Sequence, residues 1–85
     1  MFTLYLERSA AKSLNKLPQQ VFNRIIPHIR SLIGSPRPAG CRKIVGTYND
    51  YRIKIGDYRV VYEIDEVNRR INIMAVGHRK DVYRK

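Results

Sequence analysis

Eighty-five residues form a chain sized for one small domain, spanning 1–85, with a single core. Lys and Arg number 17 against 7 Asp and Glu, a formal net charge of +10, and 44% of the residues are apolar, too many for a disordered basic tail. The single cysteine, Cys41, excludes an internal disulfide framework and a four-cysteine zinc site. No apolar run approaches the roughly 20 residues that span a bilayer. Met1 to Glu7 lacks a positive region followed by an apolar stretch, so no signal peptide is expected and the expected compartment is the cytoplasm. Excess positive charge favours polyanionic partners, nucleic acid first among them, with an anionic membrane or an acidic protein as alternatives. Residues 1–41 carry six basic and one acidic side chain and residues 42–85 carry eleven and six, so each half sums to +5. A binding face must therefore be assembled by folding.

Phe2, Leu4 and Leu6 alternate with Thr3, Tyr5 and Glu7, the period of a half-buried strand. Ser9 is expected to cap a short first helix carrying Ala10, Leu14 and Leu17. Pro18 suits the first turn of a second helix running to about Ile33. Val21, Phe22, Ile25, Ile26, Ile29, Leu32 and Ile33 give it a broad apolar stripe, with a kink expected at Pro27. Gly34 to Gly40 reads as a loop and Cys41 to Val45 as a short strand ended by Gly46. Thr47 to Asp50 is a turn, and Tyr51 to Ile55 alternates before the hairpin signal Gly56-Asp57. Tyr58 to Ile64 and Ile71 to Val76 complete an antiparallel meander. The expected fold is α+β, two N-terminal helices packed on one face of a small antiparallel sheet in the order β-α-α-β-β-β-β.

Alternation puts Arg52 and Lys54 on one face of their strand and Ile53 and Ile55 on the other. In the next strand Arg59, Val61 and Glu63 oppose Tyr58, Val60, Tyr62 and Ile64. With the isoleucines against the helices, Arg52, Lys54 and Arg59 project together from the open face. Three neighbouring cations repel one another, and an anion among them reverses the sign. The stretch Gly77 to Arg84 adds His78, more cations and Tyr83 just past the last strand. Solvated cations on an open sheet, a surface histidine and a packing tyrosine are the plain structural alternative. His28, His78 and scattered carboxylates show no metal-ligand spacing, so no metal or cofactor is expected. The four serines lie far in sequence from His78, which argues against a serine triad.

Tyr51-Arg52-Ile53-Lys54-Ile55-Gly56-Asp57-Tyr58-Arg59-Val60-Val61-Tyr62, then Val76-Gly77-His78-Arg79 and Val82-Tyr83, resembles the C-terminal half of a RelE/ParE-superfamily toxin. Arg42-Lys43-Ile44-Val45-Gly46 and Leu17-Pro18 match as well, so the resemblance covers nearly the whole chain. It implies the toxin of a type II toxin–antitoxin system, neutralised by a cognate antitoxin. In the RelE branch it further implies a ribosome-dependent, metal-independent endoribonuclease that cuts messenger RNA in the decoding site. There the ribose 2′-hydroxyl attacks the adjacent phosphate, giving a cyclic phosphate and a free 5′-hydroxyl.

By that resemblance Lys54 helps activate the 2′-hydroxyl, Arg59 stabilises the pentacoordinate phosphate and Arg79 sits near the leaving oxygen. Tyr83 stacks on a base and orients the nucleophile. Arg52, Lys43, His78 and Lys80 are the expected RNA contacts. Arg52 stands where the best-known members have lysine, which leaves only charge stabilisation at that position. His78 either protonates the 5′-oxygen or packs, and packing is preferred. The alternative function is that of ParE: the same fold, no nuclease activity, and inhibition of DNA gyrase.

Overall fold

Alternation at the N-terminus produces β1 (Thr3–Leu6), and the apolar stripes produce α1 (Arg8–Asn15) and α2 (Gln19–Ser31). Four strands follow: β2 (Arg42–Lys43), β3 (Asp50–Ile55), β4 (Tyr58–Asp65) and β5 (Arg70–His78). These are the elements of a computed structural model that describes residues 1–82; Tyr83, expected in the site, lies outside the described residues.

The five strands form one sheet in the order β1-β5-β4-β3-β2. β2 to β5 are mutually antiparallel, as the short connections require, whereas β1 lies parallel to β5, pairing Thr3 with Arg70 and Leu6 with Ile73. The sheet is therefore mixed. The long crossover through both helices carries the chain from one edge to the other, which frees β1 to pair in parallel.

The helices cover one sheet face. Ala10 and Leu14 of α1 and Ile25 and Ile29 of α2 pack with Phe2 and Leu32 against Ile53, Ile55, Val60, Tyr62, Ile64, Ile71, Ile73 and Val76. Tyr62 is fully buried, and its hydroxyl donates to the Pro36 carbonyl at 2.7 Å. That bond satisfies the one polar atom this large side chain takes inside. Arg37 fastens the same loop from outside, donating to the Tyr51 hydroxyl at 3.2 Å and to Glu66 at 3.2 Å. The Tyr51 bond and the Glu66 carboxylate together hold the Arg37 guanidinium charged against partial desolvation.

Three boundaries differ from the sequence expectation. α1 begins at Arg8 with Glu7 at the N-cap, because the Glu7 N–H is taken by Ile73 and the chain turns directly out of β1. Ser9 therefore caps nothing, and its hydroxyl reaches the Met74 carbonyl at 3.4 Å. α2 continues through Pro27 to Ser31. β2 shrinks to Arg42–Lys43 because left-handed glycines flank it, Gly40 at φ 88° and Gly46 at φ 86°.

Candidate functional site

A two-residue turn joins β3 to β4, with Gly56 at φ 60° and no positive φ at Asp57, the pattern of a type II′ hairpin. Such a turn is closed by a hydrogen-bonded pair, here Ile55 and Tyr58. Counting back, Lys54 and Arg59 form the next, non-hydrogen-bonded pair, in which side chains stand closest. Arg52 faces Val61 two residues further on. The side chains of Arg52, Lys54 and Arg59 leave the sheet on the face the helices do not cover.

β5 completes the cluster from its C-terminal end. The Arg79 N–H donates to the Asp57 carbonyl at 2.7 Å, tying the end of β5 to the hairpin turn. The N–H groups of Asp81 and Val82 then both donate to the His78 carbonyl, at 2.8 and 3.0 Å. This tight turn brings Arg79 and Lys80 to the rim. The result is a groove of about 390 Å³ lined by Arg52, Lys54, Arg59, Arg79 and Lys80. All five lining residues are cationic.

The cations differ in how they are held. Arg59 Nη1 donates to the carbonyls of Gly56 and Tyr58, each at 2.9 Å, which fixes the guanidinium and leaves Nε and Nη2 for a ligand. Arg79 Nε lies 3.8 Å from Asp57 Oδ1, an exposed and therefore weak pair that a phosphate can displace. Arg52 Nη1 is buried and has no hydrogen-bond partner among the described residues. A buried unpaired donor costs about 1–3 kcal/mol, so the position is held at some expense to stability. The carboxylates within β3 and β4, Asp50, Glu63 and Asp65, lie at the other end of those strands. Asp50 faces Glu63, and its carboxyl is pushed up by burial and then by that neighbour. Asp65 is held below its usual range by hydrogen bonds from Asn68. β3 and β4 thus hold their own carboxylates away from the groove, at the end where Arg70 pairs with Asp65.

Folding gathers Arg52, Lys54, Arg59, Arg79 and Lys80, but neither Lys43 nor His78 lines the groove. Lys43 pairs with Tyr51, whose side chain packs toward the core, so it leaves the sheet on the helix side. Its neighbour Arg42 pairs with Arg52 and shares the groove face, a residue that sequence reasoning passed over. Correct pairing of a two-residue strand was the missing information. His78 pairs with Tyr58 on the helix side, its ring edge-on to the tyrosine at 5.6 Å, and its Nδ1 accepts the Lys80 N–H at 3.2 Å.

A second cavity, of about 360 Å³, brings Ser9 and Ser13 beside His78 and Asp81 despite their distance in sequence. No serine is hydrogen-bonded to His78 among the described residues; Ser9 bonds Met74 and the His78 Nδ1 is occupied. The parts of a triad are close together but are not connected as one. Among the described residues no group of three or more His, Cys, Asp or Glu side chains is placed to hold a metal ion.

Residues 4–83 match the family model for the ParE toxin of the type II toxin–antitoxin system parDE. The chain belongs to that toxin family. The toxin is 30% identical to Toxin RelG of Mycobacterium tuberculosis over 88 residues, covering 99% of this chain and 98% of that one. Its fold superposes on the isolated E. coli RelE toxin with a TM-score of 0.82 at 25% identity, over 92% of this chain and 84% of that one. The RelE–RelB complex from Pyrococcus horikoshii gives a TM-score of 0.81 at 26% identity, over 95% and 98%. Within the superfamily the toxin is RelE-like, and the expected order of two helices and a sheet is that of these relatives. No helix among the described residues is long and apolar enough to cross a membrane.

Proposed function

We propose that this toxin is a metal-independent endoribonuclease that cuts messenger RNA on the ribosome, in the cytoplasm, by 2′-hydroxyl attack. The observation that carries the reading is the all-cationic groove, with its turn-braced Arg59. Such a groove suits one internucleotide phosphate, and it offers fixed positive charge where the transition state gathers negative charge. The 2′-oxygen attacks phosphorus as its proton passes to the Lys54 amine; arginine holds its own proton and cannot serve there. Arg52 and Arg59 neutralise the non-bridging oxygens. The bond to the 5′-oxygen breaks beside Arg79, and that oxygen takes a proton from water. The products are a 2′,3′-cyclic phosphate and a 5′-hydroxyl. Tyr83 retains its inferred stacking role.

RelE toxins from E. coli and Pyrococcus horikoshii have been crystallised in complex with their RelB antitoxin. We infer a cognate antitoxin for this toxin also, with an acidic segment drawn to the +10 surface. Primer extension on a message translated in an extract tests the nuclease: cuts inside codons with the wild type, none with Arg59→Ala. An intact message together with failing DNA supercoiling would replace this reading with gyrase inhibition.

A further inference from the structure

β2 pairs with Tyr51 and Arg52 only, so the outer edge of β3 from Ile53 onward has no strand beside it. Along that edge lies a cleft of about 250 Å³ lined by His28 and Ser31 of α2, by Ala39 and Gly40, and by Ile53 and Lys54. Ile53 and Lys54 point to opposite faces, so a cavity touching both sits at the strand's edge. Lys54 also lines the cationic groove, so one residue borders both cavities.

The main chain of Lys54 points into this cleft. Ile55 and Tyr58 close the hairpin as a hydrogen-bonded pair, so the N–H and C=O of Lys54 turn away from β4. The Ile44 N–H donates to the Asp50 carbonyl at 2.8 Å, which fixes the same parity from the other side: Asp50, Arg52 and Lys54 all turn outward. Gly40 stands where β2 would oppose Lys54, but its left-handed φ of 88° takes the chain away. Among the described residues no main-chain group bonds the outward N–H or C=O of Lys54.

A donor and an acceptor side by side on a strand edge match the adjacent acceptor and donor of a nucleobase edge. His28 and Ser31, both exposed, add further polar atoms, and Ala39 and Gly40 leave space for a flat ring. We propose that this cleft binds the base of the nucleotide whose 2′-hydroxyl attacks, and thereby sets base preference immediately 5′ of the cut. The inference rests on the nuclease reading. Its polarity follows from the roles given there: Lys54, at the cleft, serves the nucleophile, while Arg79, beyond β4, serves the leaving oxygen.

His28→Ala and Ser31→Ala, singly and together, are compared with the wild type by mapping every cut in a mixed message population. Thermal melts confirm that each variant is folded. The base bias at the 5′ position is expected to fall at least fivefold in the double variant. The same ratio is read as binding with oligonucleotides whose attacking 2′-hydroxyl is replaced by hydrogen. An unchanged bias, or a change confined to the base 3′ of the cut, would overturn the inference. An absence of cutting by the wild type would instead overturn the nuclease reading.

Discussion

Lys54 and Arg59 face each other across the β3–β4 ladder as a non-hydrogen-bonded pair, like charges in the closest cross-strand position a sheet provides. Nothing in folding favours that placement, so the pair marks a conflict between stability and binding. Lys54→Met is expected to stabilise the fold by about 0.2–1 kcal/mol, the scale of a cross-strand pair. The same variant is expected to lower cutting at least a hundredfold, the loss typical of a removed general base. Urea denaturation and primer extension on one preparation check both signs.

Asp57 sets the resting state of Arg79. Its carboxylate is exposed, so Asp57→Asn is expected to change stability by less than about 0.5 kcal/mol. Removing a negative charge from the groove rim tightens binding of a short RNA by about twofold at low salt. The gain fades as salt screens it. Fluorescence anisotropy at two ionic strengths reads both effects.

Gly56 is constrained twice. Its φ of 60° suits glycine, and a Cβ there would lie 2.8 Å from Arg24 Nη2. The guanidinium ends a flexible side chain and swings aside, so the backbone conformation dominates the penalty. Gly56→Ala is expected to cost about 1–2 kcal/mol. Most of that loss persists in an Arg24→Ala background, as paired denaturation curves will show.

Tyr62 gives the fold an alkaline limit. Burial, then Cys41, pushes its phenol far above the ordinary value of 10, so the folded state keeps a proton that the unfolded chain releases. A raised folded value means that stability is intact below pH 10 and falls as pH rises beyond it. The slope attributable to this group is about 1.4 kcal/mol per pH unit. Tyr62→Phe removes that slope while losing the bond to Pro36, about 1 kcal/mol. Denaturation of both proteins between pH 8 and 11 separates the two effects.

Much of the groove was legible because alternation in a strand is strict: once Ile53 and Ile55 face the helices, Arg52, Lys54 and Arg59 have no other side to occupy. The Gly56-Asp57 turn fixed the register that makes Lys54 and Arg59 partners. Features set by tertiary contact were not legible. The parallel docking of β1 on β5 joins residues 67 apart in sequence, Thr3 and Arg70. Arg42 and Lys43 exchange sides of the sheet with a one-residue change of register, which a two-residue strand does not announce. Arg24 reaches the hairpin from a helix whose polar face gives no hint of a target. His78 was drawn toward the site by its neighbours in sequence, but the alternation of β5 turns it inward.

Among the described residues the first strand pairs with β5 alone, and both helices lean on β-structure translated after them. A nascent chain that has not yet delivered Arg70 to His78 therefore has helices without a floor and loop ends without closure. Assembly must wait until β5 has been synthesised. A protein proposed to attack translation is thus kept, by the order of its own strands, from completing its sheet before β5 has been made.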